Sequence, residues 1–428
     1  MTKSQSTRKV LVVGLGVSGI ATAIRLLQAG WSPVIVEKAS KRRDGGYFIA
    51  MFGSGRSAAD RLGILDGVHD RGNIGVHLDI DRQGGRSRGL AYTALPGEPW
   101  QMVRGDVEEA AWAKLPADVE VRFSTVPTDI RQDADGVDVD LHNTADDTRV
   151  TERFDLVVGA DGLRSTVRRL AFGPHEKYLH RLNHIIAAFE FPGTPKGLKK
   201  GEGAALIEVG RSMWLFAFAD HNPTVLFSYE TSDVDAEFTH RPADRIREVF
   251  GPQPLGETLT DAIAAMEKAG DDVLFDSVEQ VKMDRWHNNR VVLVGDAAWC
   301  VTLYAGMGVS AGITGAVLLG DALERHPDNM DRALEVWEQT MRPTIDFYQE
   351  HALVQRPFFT PHTYKELGDR SLATKLLFLP VVGWLLRRSP WVRAADKRKD
   401  SEISLPPLPK ALHGDSERDA TRADLVAS

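Results

Sequence analysis

The run Val10-Leu11-Val12-Val13-Gly14-Leu15-Gly16-Val17-Ser18-Gly19 spaces its glycines in a way that suits one kind of chemistry, the holding of a phosphate. A second apolar run, Pro33-Val34-Ile35-Val36, ends in Glu37-Lys38. The pattern predicts a buried parallel strand, a glycine turn, a helix over 20–29, a second strand, and an acid at its end. Gly14 permits the tight turn, Gly16 lets the backbone approach a pyrophosphate, and Gly19 lets the helix pack close to the strand. The helix then offers free N–H groups and a positive dipole end to the phosphates. Glu37 stands where a carboxylate accepts hydrogen bonds from a ribose, which favours an unphosphorylated ribose such as that of FAD or NAD. An ordinary βαβ turn uses the same glycines, so the strands, helix and acid carry the assignment together.

The elements that must position this unit follow from the rest of the chain. With 428 residues it can bury a large core in two or more intimately packed domains. Its net charge of −8 gives no support to nucleic-acid binding, because the basic clusters at 41–43, 387–388 and 397–399 are scattered and diluted by acids. The single cysteine, Cys300, excludes an internal disulfide and any cysteine-rich metal site. The first nine residues are polar and lack the apolar core of a signal peptide, so a cytoplasmic location is expected. A helix is expected over 57–62, another over 107–114 behind Arg104-Gly105-Asp106, and a buried strand over 154–159. From His184 to Thr231 four strands of a mostly antiparallel sheet are predicted, with Trp214, Phe216 and Phe218 on one face by period two. Helices follow over 241–250 and 259–268, then a buried strand over 291–294 and a long helical C-terminus. The apolar run 376–386 is about half the length of a membrane span and is broken by Pro380 and Gly383. It is expected to be a packing helix, with rest on a membrane or partner as the alternative.

Two further motifs narrow the chemistry: Asp155-Leu156-Val157-Val158-Gly159-Ala160-Asp161-Gly162-Leu163-Arg164-Ser165-Thr166-Val167-Arg168, and Arg290-Val291-Val292-Leu293-Val294-Gly295-Asp296-Ala297-Ala298. With the glycine triplet first, this order and spacing resembles the group A flavin-dependent monooxygenases. That family is para-hydroxybenzoate hydroxylase-like and includes aromatic polyketide hydroxylases and tetracycline-inactivating enzymes. The resemblance spans about residues 9–323. It implies an α/β fold: a Rossmann-like FAD-binding domain interrupted by an antiparallel-sheet substrate domain, with a helical C-terminus. The expected divisions are 1–78, 101–178 and 276–340 for the FAD domain, and 79–100 and 179–275 for the substrate sheet. C-terminal helices take 341–399 and a disordered tail 400–428.

The resemblance also assigns roles. Asp296 would hold a ribityl or ribose hydroxyl, and Asp161-Gly162 would turn the chain between the FAD site and the approach of NAD(P)H. Arg104 would open its helix beside the ribityl chain, and Arg42 or Arg43 would lie near the adenine and pyrophosphate. The implied cofactor set is Gly14, Gly16, Ser18, Gly19, Glu37, Lys38, Arg43, Arg104, Asp161, Asp296, Gly306, Gly308 and Val309. Leu303, Gly306, Met307 and Gly308 would form the loop beside the flavin ring, where a helix N-terminus stabilises the anionic reduced flavin. Trp214, Phe216, Phe218 and Tyr304 are substrate candidates, with sheet core as the alternative for the aromatics. Either aspartate alone also reads as a helix cap or turn residue. No side chain is assigned as catalytic and no metal ligands are expected, because the flavin carries the chemistry. This chain has Thr302-Leu303 where most of the family has a proline pair, Trp299 where many have histidine, and Met307 and Ser310 where a polar pair is usual.

The implied activity is hydroxylation of a small aromatic or enolic, even polycyclic, substrate. NAD(P)H would reduce FAD, O₂ would add at C4a, and the C4a-hydroperoxyflavin would transfer one oxygen atom. Two rivals stand beside it: a FAD-dependent reductase of a prenyl or lipid chain, and a non-catalytic FAD-containing binding protein.

Overall fold

In the computed structural model, residues 8–42, 45–72, 75–90 and 99–407 are described. The chain begins β1 (Lys9–Val13), α1 (Val17–Gln28), β2 (Ser32–Val36), β3 (Phe48–Met51), α2 (Gly53–Arg61), β4 (His77–Ile80), β5 (Arg86–Arg88), β6 (Trp100–Val103), α3 (Arg104–Lys114). It continues with β7 (Glu120–Arg122), β8 (Thr125–Gln132), β9 (Val137–Asn143), β10 (Arg149–Phe154), β11 (Leu156–Gly159) and α4 (Thr166–Ala171). Next come β12 (Leu179–Glu190), β13 (Gly203–Glu208), β14 (Arg211–Phe216), β15 (Thr224–Glu230), α5 (Val234–Glu237), α6 (Pro242–Phe250) and α7 (Glu257–Ala269). The last part holds β16 (Leu274–Val281), β17 (His287–Asn288), β18 (Val291–Leu293), α8 (Asp296–Trp299), α9 (Gly308–Arg325), α10 (Met330–Phe359), α11 (Tyr364–Phe378), α12 (Pro380–Arg387) and α13 (Pro390–Asp400).

Strands β18, β11, β1, β2 and β7 pair in parallel in that order, and β17 closes the sheet antiparallel. Val10 to Val13 and Val157 to Val158 are buried, which is why their sequence is unbroken and apolar. The other large sheet runs β16-β12-β15-β14-β13-β4-β5 and is antiparallel except where β13 meets β4. Its outer face packs on α6 and α7 in a core of its own around Phe227, Phe250 and Ile263. The fold is thus mixed α/β, with the parallel layer interrupted by the antiparallel sheet and a helical C-terminus.

Element boundaries differ from the pattern where backbone geometry decides them. α1 begins at Val17, since Gly16 is still extended and caps it, and ends at Gln28 before Gly30 turns left-handed at φ 82°. The helix expected over 57–62 runs instead from Gly53 to Arg61, so Gly55 lies inside α2. A Cβ there would fall 2.5 Å from the Ser310 hydroxyl of α9. The strand expected over 154–159 is two: β10 belongs to a three-stranded sheet with β9 and β8, and β11 alone enters the parallel sheet. The apolar run 376–386 divides at Leu379, with Pro380 opening α12. Residues 401–407 carry no regular structure, yet Leu405 is buried against the core.

One buried side chain joins the second and third motifs. Arg168 in α4 is fully buried, and its guanidinium donates to the Ala297 carbonyl at 2.8 Å and the Leu163 carbonyl at 2.6 Å. Burial pushes its pKa down, and the Asp161 carboxylate leads the neighbouring groups that pull it back up. Arg168→Met keeps the volume but leaves both carbonyls without their donor. It is expected to lower unfolding stability by about 2–4 kcal/mol in urea titrations; a loss under about 0.5 kcal/mol would show that the link carries nothing.

Candidate functional site

Two adjoining cavities open at the carboxyl ends of β1, β11 and β18. One, of about 320 Å³, runs from Glu37, Lys38 and Arg42 past Gly14 and Gly16 to Asp161 and Arg164. The other, of about 400 Å³, continues from Gly16, Ser18 and Arg104 to Asp296 and the loop at Thr302–Val309, and reaches the antiparallel sheet. Gly16, Arg104, Ala160, Gly162, Leu163 and Asp276 line both.

The glycine turn is built by backbone proximity. A Cβ on Gly14, whose φ is 107°, would stand 2.5 Å from the Ala160 carbonyl oxygen, and one on Gly19 would stand 2.0 Å from the Gly14 carbonyl oxygen. At Gly16 a Cβ would meet only side-chain atoms of Arg104 and Glu108, so its backbone faces the cavity. Glu37 is oriented by two N–H donors, Leu15 to Oε2 at 2.9 Å and Ala39 to Oε1 at 2.8 Å. No acid occupies the first turn of α1 and no side chain caps it, so its positive end is left for a ligand.

At the deep end, Asp296 faces the cavity with protein behind it. Burial raises its carboxyl above the usual carboxylate range, against the pull of Arg104 and the Cys300 thiol. Arg104 opens α3 and is paired with Glu108 at 2.7 Å; burial works against its charge, but Glu108 and Asp296 favour the cation. Burial likewise pushes the Tyr47 phenol and the Cys300 thiol up, so both stay protonated at neutral pH.

The loop before α9 departs from a proline-bearing turn. Thr302 has φ 72° and ψ 161°, a region proline cannot enter and one that strains any residue with a Cβ by about 1–3 kcal/mol. Its hydroxyl is buried without a hydrogen-bond partner, as is Glu279 Oε2 in the neighbouring strand β16, and both residues line the deeper cavity. Leu303 and Gly306, the latter left-handed at φ 66°, follow in the same wall. Gly308 and Val309 begin α9, again uncapped, with open space where a Cβ on Gly308 would sit. Two helix N-termini therefore converge on one cavity with Arg104 beside them.

Not every expected site residue lies on the cavity. Ser18 lines it, but its hydroxyl is wedged where a Cβ on Gly295 or Gly312 would stand 2.3 or 2.4 Å away. The Asp161 carboxylate accepts from Ser165 Oγ at 2.5 Å and the Thr166 and Val167 N–H groups at 2.6 and 3.1 Å, capping α4 while its backbone lines the outer cavity. Met307 points into the core. Of the aromatic candidates only Phe216 faces the cavity. Trp214 packs among His77, Phe358 and Phe359; Phe218 beside Phe48 and His221. Tyr304 is buried beside Ser228, its phenol pushed up to about 12 by burial. Arg43 falls outside the described residues. The sequence reading missed Tyr47 and, on β3, Phe48 to Ala50, where Phe48 stacks on Phe216 with ring centroids 4.1 Å apart. It also missed Asp276 to Glu279 on β16 and Phe359. Only proximity across the fold reveals these; Gly45-Gly46 beside Tyr47 was the one local signal. Among the described residues no cluster of His, Cys, Asp and Glu could hold a metal.

Comparison with known proteins fits this geometry. A family model described as a FAD binding domain matches residues 7–329. A flavin-dependent monooxygenase of Legionella longbeachae serogroup 1 (strain NSW150) is 28% identical over 355 residues, which cover 80% of this chain and 87% of the relative. The tetracycline destructase Tet(51) superposes with TM-score 0.75 at 24% identity, covering 94% of this chain and all of the other. HpxO of Klebsiella pneumoniae, complexed with FAD and uric acid, superposes with TM-score 0.66 at 18% identity, covering 92% and 96%.

Because its folded pKa is raised, Asp296 contributes stability at low pH that is lost as pH rises through that raised value. Asp296→Asn should therefore raise the melting temperature of the cofactor-free protein near neutral pH and flatten its decline from mildly acidic pH, while yellow cofactor is lost on gel filtration. A variant that keeps full colour would displace Asp296 from the cofactor's contacts. At Thr302, the Gly variant should gain about 1 kcal/mol in urea unfolding as strain is relieved. Thr302→Pro should lose stability and colour together.

Proposed function

The chain belongs to the FAD binding domain family and is a flavin-dependent monooxygenase, and from that premise we propose that it hydroxylates a planar aromatic or enolic small molecule at the expense of NAD(P)H. The observation that carries the proposal is the continuity of the two cavities from Glu37 to the wall of the antiparallel sheet. The residues present fit FAD: a carboxylate for the ribose at one end, glycine backbone and a bare helix N-terminus for the pyrophosphate, Asp296 and Arg104 for the ribityl chain, and a second bare helix N-terminus for the ring. When bound, FAD supplies hydride acceptance from NAD(P)H and oxygen activation at C4a, the chemistry that no side chain here provides.

The protein's own part is orientation, charge and exclusion of water. Gly308 and Val309 turn the positive end of α9 toward the cavity, where it would favour negative charge on a bound flavin ring. Arg104 adds a fixed cation that its surroundings hold charged. The substrate takes the space between the loop and the sheet, against Phe216, Phe48, Ile186, Ala188 and Leu226. Phe48 and Phe216 present a stacked aromatic pair to a flat ligand. Glu279 and Thr302 give this mainly apolar chamber its polar points, fixing how a hydroxyl-bearing substrate lies. NAD(P)H reaches the same site transiently, with no second dinucleotide unit required.

The test is aerobic NADPH and NADH oxidation by the purified yellow protein across phenolic, polycyclic and quinolone compounds, with product masses recorded. A substrate-stimulated rate with gain of one oxygen atom is the expected outcome. Oxidation stimulated without oxygen incorporation would point to reduction instead, and ligand binding without any oxidation to a sequestering protein.

A further inference from the structure

The C-terminal helices are tied down at both ends and bare in the middle. In α11 the nearly buried Arg370 guanidinium donates to the two Asp79 carboxylate oxygens at 2.9 and 3.2 Å and to the Phe358 carbonyl at 3.0 Å. The end of α13 is held by α2 and α10. The Gly53 N–H donates to the Asp400 carboxylate at 3.2 Å, Ser54 Oγ to the Lys399 carbonyl at 2.9 Å, and the Tyr348 hydroxyl to the Arg398 carbonyl at 3.3 Å. Between these anchors α12 folds tightly back on α11, so closely that a Cβ on Gly383 would stand 2.1 Å from the Leu377 carbonyl oxygen.

The inner side of α12 is packed; its outer side is not. Val381, Trp384 and Leu385 are 70%, 52% and 56% exposed, at the i, i+3, i+4 spacing that makes one stripe on a helix. Leu372 in α11 and Leu379 at its end are exposed as well. Large side chains in such an array are what mark an interaction surface, as single exposed apolar residues do not. Cations flank it in the chain: Lys375, Arg388, Arg393, Lys397 and Arg398 are exposed, and the Arg388 guanidinium lies 4.1 Å over the Trp384 ring. Residues 371–400 hold seven Lys and Arg against two Asp, in a chain whose net charge is −8.

We propose that α12 and its flanking cations dock the protein on an anionic lipid surface. Val381, Trp384 and Leu385 enter the boundary between headgroups and acyl chains, and the lysines and arginines meet the lipid phosphates. An eight-residue helix rises about 12 Å, too short to cross a bilayer but suited to lying in its interface. Among the described residues no helix is long and apolar enough to span. Charge decides the occupant: a second copy seated on the same stripe would bring two basic rims face to face, whereas an anionic bilayer neutralises the rim and covers the stripe together.

Flotation of the full-length, FAD-loaded protein with vesicles tests this, and because it reads partition rather than turnover it stands apart from the proposed reaction. Vesicles of phosphatidylcholine alone should leave the protein behind, and vesicles with roughly 30 mol % phosphatidylglycerol should carry it. Raising salt from about 0.05 to 0.5 M should weaken that binding about tenfold or more. V381S/W384S/L385S should lose binding while retaining FAD content and elution volume, and R388Q/R393Q/K397Q should bind anionic vesicles about tenfold or more weakly. Failure of the wild type to float, equal binding to both vesicles, or a solution dimer that the triple serine variant dissolves would each overturn the proposal.

Discussion

Everything at the site rests on one crowding of main chain at the carboxyl edge of the parallel sheet. Gly14 lies against the Ala160 carbonyl and Gly19 over the Gly14 carbonyl, with no room for a side chain at either place. That approach brings the end of β1 to the end of β11 and sets the first turn of α1 above both. Gly295 and Gly312 then close on Ser18, which draws in β18 and α9. Arg168 bonds Leu163 to Ala297 from behind. A shift of any one of these segments would move both helix N-termini away from the common cavity.

The electrostatics of that cavity are a settled conflict. A carboxylate and a guanidinium stand together in the cavity wall, and each is made tolerable by the other: Arg104 lowers the Asp296 carboxyl while Asp296 supports the Arg104 charge. Thr302 adds a strained backbone to the same wall. These features weaken the fold locally and are intelligible only as parts of a site meant to receive something.

Much of this was legible in the residues. Glycine spacing, the acid closing β2 and the ordered Asp-Gly and Gly-Asp motifs indicate the dinucleotide layer because each reflects a local backbone demand. What was not legible depends on contacts between distant segments. Whether Trp214, Phe216 or Phe218 faces the cavity turns on which neighbours cover the strand, and period two cannot say that α10 lies over Trp214. Asp161 looks the same in sequence whether its carboxylate caps α4 or meets a ligand. The φ of Thr302 was hidden as well, since threonine carries no signature of that conformation. Nor does an apolar run disclose which of its faces is packed, as α12 demonstrates.

Trp299 fills a space bounded by Trp286 and Trp337, with ring centroids 4.8 and 5.8 Å away, and a Cβ on Gly315 would stand 2.7 Å from its ring edge. Trp337 in turn donates its indole N–H to the Gly315 carbonyl at 2.9 Å. The four positions are therefore tied in space, and packing would couple their replacement. A lineage carrying tryptophan at 299 has to keep glycine at 315, and a return to a smaller residue at 299 would open a hole that only compensating change at 286, 315 or 337 could refill. Substitutions in this corner should be inherited in sets, making the combination at these positions a lineage marker independent of what the cavity holds.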